Sequence, residues 1–171
     1  LLSSTTQVRY VPDGQNAETA TFAFVAWDQT SGTASTNGVA AYANPGAGGG
    51  TTAYSGQAAS ASLTVTAVND APTISNGATV ALASTNEDTT SSATTVSTIL
   101  SGASWADVDS GALSGIAVTS RSGNGTWQYS TDGVTWTAFG TVSGSSALLL
   151  SSTTQVRYVP DGSNAETASF G

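Results

Sequence analysis

The chain has 171 residues, with three Arg and no Lys or His against eleven Asp and Glu, for a net charge of −8. So few cations exclude nucleic acid as a partner, because binding it needs basic groups that displace counterions. The absence of Cys excludes disulfides and thiolate metal sites. No apolar run approaches the ~20 residues needed to cross a bilayer, and no signal-peptide pattern opens the chain.

In chain order, Gln7-Val8-Arg9-Tyr10-Val11 alternates apolar and polar residues and predicts a strand, which Pro12-Asp13-Gly14 turns. Thr19 to Trp27 predicts a longer strand ending at Asp28, with Phe22, Phe24 and Ala26 on one face. Residues 29–58 are rich in Gly, Ala, Ser and Thr and poor in large apolar side chains, which predicts a long surface loop or a loosely held hairpin. Residues 59–68 alternate again and run into Ala67-Val68-Asn69-Asp70-Ala71-Pro72-Thr73. Pro72 lacks an N–H and biases Ala71 to an extended conformation, so residues 67–73 read as a joint between two β domains.

Beyond the joint, strands are expected over Ala78–Leu82, Thr94–Leu100 and Ala112–Thr119. Asn86-Glu87-Asp88 breaks the first, and Trp105-Ala106-Asp107-Val108-Asp109-Ser110-Gly111 places two carboxylates two residues apart on a turn closed by Gly. Gly125–Ser130 and Val134–Phe139 flank Thr131-Asp132-Gly133 as a hairpin. Asp13, Asp132 and Asp161 stand in Asp-Gly turns, where turn chemistry accounts for them.

One feature organises all of these elements. Residues 1–22 return as residues 149–170 with only two differences, Gln15 for Ser163 and Thr21 for Ser169, at an offset of 148 residues. That offset is too long for a solenoid unit and suits a whole domain. The expectation is therefore an array of domains of about 148 residues, cut here in mid-period. Residues 1–70 would be the C-terminal part of one repeat, and 71–171 the N-terminal part of the next. With about seven to nine strands per period and no convincing helix, the predicted fold class is all-β, a Greek-key β-sandwich.

The chain resembles the cadherin-like and related extender repeats of large bacterial (RTX-type) surface adhesins. The resemblance rests on Glu87-Asp88-Thr89, Asp107-Val108-Asp109-Ser110-Gly111, Val8-Arg9-Tyr10-Val11-Pro12-Asp13, Phe24-Val25-Ala26-Trp27-Asp28 and Ala67-Val68-Asn69-Asp70-Ala71-Pro72. It departs from the vertebrate cadherin pattern at the joint, where one Asn-Asp replaces a longer acidic linker, and in the long loop over 29–58. The resemblance implies an extracellular, cell-surface structural module that extends or stiffens an adhesin or fibre. Its partners would be neighbouring copies of the same repeat, with lateral association into fibres.

Calcium takes about 6–8 oxygens from carboxylates, amides and carbonyls, and Asn69, Asp70, Asp107 and Asp109 are the residues from which a joint would gather them. The resemblance adds Asp28 for a preceding joint, and Glu87 and Asp88 facing a joint from the strand side. The bland reading of each group is a polar turn or linker. A second function class is a carbohydrate-binding module using Trp27, Trp105, Trp127, Trp136 and the long loop. An enzyme is the poorest reading, because no His, Cys or Lys is present to act as base or nucleophile. Asp107 and Asp109 on one turn also make no facing carboxylate pair for a glycosidase.

Overall fold

A computed structural model describes all residues, Leu1–Gly171. The chain divides into two compact units, Leu1–Asn69 and Asp70–Gly171. Its strands pair antiparallel, with one short helix. That helix is not long and apolar enough to cross a membrane.

The first unit is built on one hairpin. Strand β1, Glu18–Trp27, pairs with β2, Tyr54–Val65, from Glu18↔Val65 to Val25↔Ala58, and the register shifts before Trp27↔Tyr54. The second strand thus starts earlier than expected, inside the stretch read as loop. Gly48 shows how the intervening loop closes: its φ is +63°, and a Cβ there would lie 2.1 Å from the Ser55 carbonyl oxygen. Only Gly fits such a backbone approach. Ala53 is the one buried apolar residue of this unit, while Phe22 and Phe24 stay about half exposed with ring centroids 6.0 Å apart. A lone hairpin with so little core is marginal in water.

The second unit holds the core. Its four-stranded sheet runs β3 (Thr94–Thr95), β9 (Gln155–Val159), β6 (Thr126–Ser130), β7 (Thr137–Ala138). Two further pairs join β4 (Gly115–Val118) to β8 (Leu148–Ser151), and β5 (Arg121–Ser122) to β10 (Ser169–Phe170). Val96, Leu100, Val118, Trp127, Phe139, Leu150, Val156 and Tyr158 form one buried cluster. Trp127 lies at its centre, 4.9 Å from the Tyr158 ring and edge-on to Phe170 at 4.8 Å, the offset and edge geometries that aromatic quadrupoles favour.

Three sequence expectations are corrected. Thr94–Leu100 is not a strand: after Thr94–Thr95 the chain turns into helix α1, Val96–Gly102. The Thr95 hydroxyl accepts the Thr98 N–H as an N-cap. Val96, Ile99 and Leu100 then share one helix face, with Val96 and Leu100 buried and Ile99 packed against the cluster. Ala78–Leu82 joins no ladder. It sets Val80 against Gly102 and Leu82 against the cluster instead. Gln7–Val11 is also outside any strand, although the same five residues form β9 at 155–159.

The two copies of the repeated segment show why. Their local bonds agree. Thr6 N–H donates to the Ser3 carbonyl and Thr154 N–H to that of Ser151, each at 3.0 Å. The Asp13 and Asp161 carboxylates accept the N–H two residues on, again each at 3.0 Å. The long-range bonds do not agree, because β9 is flanked by β6 and β3 while residues 7–11 have no flanking strand in their unit. Val156 is 0% exposed and Val8 60%; Tyr158 is 6% exposed and Tyr10 43%. Local bonding is encoded within the segment, whereas its strand character depends on a partner supplied by residues 94–130.

Candidate functional site

The turn after the joint is the most organised acidic feature of the second unit. Thr73 and Ala106 exchange both backbone hydrogen bonds, at 2.7 and 2.9 Å, which anchors the segment leaving Pro72 beside the 105–111 turn. Within that turn the Asp107 carboxylate accepts the Asp109 N–H at 2.9 Å. The Asp109 carboxylate accepts the Asp70 N–H, also at 2.9 Å. Asp70, Asp107 and Asp109 are all half-buried. The sequence-predicted trio is thus brought together through backbone bonds, with Asn69 next to it in the chain.

Metal fit can be judged from the same atoms. One oxygen of Asp107 and one of Asp109 accept backbone N–H groups, and no group of three or more Asp or Glu side chains gathers as ligands would. Two carboxylates fall short of the about six to eight oxygens that calcium takes, so the arrangement as it stands is not a complete calcium cage. Glu87 and Asp88 lie on an exposed turn organised by Asn86, whose side chain accepts the Asp88 N–H at 3.1 Å. In the first unit, Asp28 accepts the Thr30 hydroxyl at 2.7 Å and the Thr30 N–H at 2.9 Å. Those two bonds, the hydroxyl's first, hold its carboxyl below the usual range.

The Trp residues are engaged in packing. Trp127 is buried and donates its indole N–H to the Ser122 carbonyl at 3.1 Å. Arg157 covers Trp136, with the guanidinium carbon 3.9 Å from the ring centre. Trp27 donates its indole N–H to the Ser31 carbonyl at 2.7 Å, and Trp105 packs half-buried against the core of the second unit.

Sequence reasoning missed the best-organised polar cluster of the molecule. Tyr158 donates its hydroxyl to Glu166, and that carboxylate also accepts the Asn124 N–H at 2.7 Å. Gly125 in turn donates its N–H to the Tyr158 oxygen at 2.6 Å. Burial first, and then the bond to Glu166, raise the Tyr158 phenol, while the Tyr158 hydroxyl and the Asn124 N–H lower the Glu166 carboxyl. A Cβ at Gly125 would lie 2.2 Å from the Val159 carbonyl oxygen, so this approach of backbone to strand needs Gly. The available signal was the recurrence itself: Tyr10 donates to Glu18 at 2.6 Å in the first copy. No protein-family model, no curated protein and no solved structure matches the chain.

Proposed function

We propose that this chain is a stretch of a tandem structural array, in which each period of about 148 residues is one domain that adds length to an extracellular adhesin or surface fibre. The observation that carries this reading is the recurrence of residues 1–22 at 149–170, whose second copy supplies β8, β9 and β10 to the core of the second unit. A segment so deeply used cannot be an ornamental duplication; each occurrence demands its own framework of core strands. In this reading one domain is residues 71–171 continued by a stretch equivalent to 24–70, closed as a Greek-key β-sandwich with the 18–65 hairpin as its outer strands. Many near-identical units favour reach over recognition, since every added copy lengthens the array without adding a new binding specificity.

Calcium at the joints is part of the proposal. Asp107 and Asp109, with Asp70 tied to them and Asn69 adjacent, would contribute, and backbone carbonyls or a neighbouring domain would complete the oxygen set. Binding would offset carboxylate repulsion in a chain of net charge −8 and fix the angle of the joint. Small-angle scattering on chains of one, two and three periods tests the reading. The maximum dimension should rise by the same increment with each period, and by less when EDTA is present. A dimension that stops growing contradicts the array, and identical profiles with calcium and with EDTA contradict the metal.

A further inference from the structure

We propose that residues 1–22 of one chain dock onto the β3–β6 framework of a second copy, in the register that Gln155–Val159 takes in its own chain, so that copies assemble head to tail by strand exchange. The inference rests on the tandem-repeat reading and extends it to a contact between separate chains. Three observations carry it.

The first is that the incoming segment is already shaped for the site. Its Ser3–Thr6 turn, Asp13 turn and Tyr10–Glu18 bond match those at Ser151–Thr154, Asp161 and Tyr158–Glu166. Little ordering remains to oppose docking.

The second is that it carries the apolar groups the site buries, uncovered. Leu2, Val8, Tyr10 and Phe22 are exposed, whereas their counterparts Leu150, Val156 and Tyr158 are buried and Phe170 packs against the core. The Tyr10–Glu18 pair would meet the Asn124 and Gly125 N–H groups, as Tyr158 and Glu166 do.

The third is that the framework cannot tell the two segments apart. They differ only at Gln15/Ser163 and Thr21/Ser169, and all four residues are exposed. The incoming copy also brings β1 beyond Phe22 with β2 already paired to it, adding a strand beside the one that reaches β5. Such a contact joins two different surfaces, so it does not close on itself and propagates into linear chains.

The own segment holds an advantage of tethering, so exchange is sought by refolding two single-Cys variants together at high concentration under mild oxidation. Gln128 pairs with Arg157 in β6–β9, and Arg9 is the residue equivalent to Arg157. Since the chain has no Cys of its own, Arg9→Cys mixed with Gln128→Cys should give a disulfide-linked dimer at twice 16.9 kDa. It should form at least about tenfold faster than with Ser145→Cys, on an exposed turn, where only collision operates. Adding Val8→Asp to the Arg9→Cys chain should abolish the dimer, and adding Val39→Asp should not. No dimer, equal rates with Ser145→Cys, or persistence of the dimer with Val8→Asp would overturn the proposal. The reaction needs neither calcium nor a longer chain, so its failure leaves the scattering test of the array untouched.

Discussion

Tyr158 donates its hydroxyl to Glu166 inside a buried cluster, and 148 residues earlier Tyr10 makes the same bond to Glu18 on an exposed surface. The bond spans eight residues and survives the loss of everything around it. Hydrogen bonds of this kind are written into a segment. Burial is not, because it depends on what the rest of the chain brings.

That contrast predicts a pair of unequal mutants. Val156→Ala removes two buried methyl groups from the core and should cost about 2–3 kcal/mol. Val8→Ala makes the same chemical change in the same local sequence and should stay within about 0.5 kcal/mol. Denaturant unfolding followed by Trp fluorescence, which reports chiefly on the second unit, measures both. Equal costs would mean that residues 7–11 are buried in solution.

The pH dependence of the second unit follows from the same dyad. Glu166 titrates below the usual carboxylate range in the folded state, so its contribution is present above about pH 4–5 and is lost as pH falls through the folded value. Tyr158 is raised; its contribution is full below about pH 10 and is lost as pH rises through the folded value. Glu166→Gln should flatten the acid limb, while Asp132, also held low by its turn N–H groups, keeps part of it. Tyr158→Phe should flatten the alkaline limb. Midpoints of chemical unfolding between pH 2 and 11 check this, and an acid limb unchanged in Glu166→Gln would contradict it.

Helix α1 has one hydroxyl cap at its start, with no acidic residue in its first turn. Thr95→Ala should therefore destabilise the second unit by about 1 kcal/mol, and Thr95→Ser should recover most of that. Thermal unfolding by circular dichroism reads the difference. A neutral Thr95→Ala would show that packing of Val96 and Leu100 alone places the helix.

Gly125 passes so close to the Val159 carbonyl that any Cβ must displace the strand. Gly125→Ala should cost about 1–3 kcal/mol, the range for forced overpacking, and should weaken the Gly125–Tyr158 bond. Gly144→Ala, with open space around it, should be tolerated. Comparable melting temperatures for the two variants would contradict the close approach.

What the residues disclosed in advance follows the same division between local and distant. The Thr131-Asp132-Gly133 hairpin was legible because Asp132 itself accepts the N–H groups of Val134 and Thr135 at 2.8 and 2.7 Å. The strand Thr19–Trp27 was legible because its partner follows in the same unit. Gln7–Val11 misled because alternation signals only that a strand is available, and its ladder partner lies in another element. Thr94–Leu100 misled because β-branched residues suggest a strand, while the spacing of Val96, Ile99 and Leu100 and the Thr95 cap already describe a helix. Asp107 and Asp109 were found by their place on a Gly-closed turn; the Asp70 bond that ties them to the joint has no local signature. Nor has the meeting of Asn124 and Gly125 with Glu166, which spans about forty residues.

The central claim is that residues 71–171 and a stretch equivalent to 24–70 are one domain. A chain of residues 71–171 followed directly by 24–70 tests it, because it restores one whole period in phase. The account predicts a single cooperative unfolding transition at a higher temperature than any transition of the 171-residue chain. It also predicts that Phe24 and Leu63, both exposed in the 171-residue chain, become protected from solvent. Two separate transitions, or a melting temperature no higher than that of the second unit in the 171-residue chain, would contradict it.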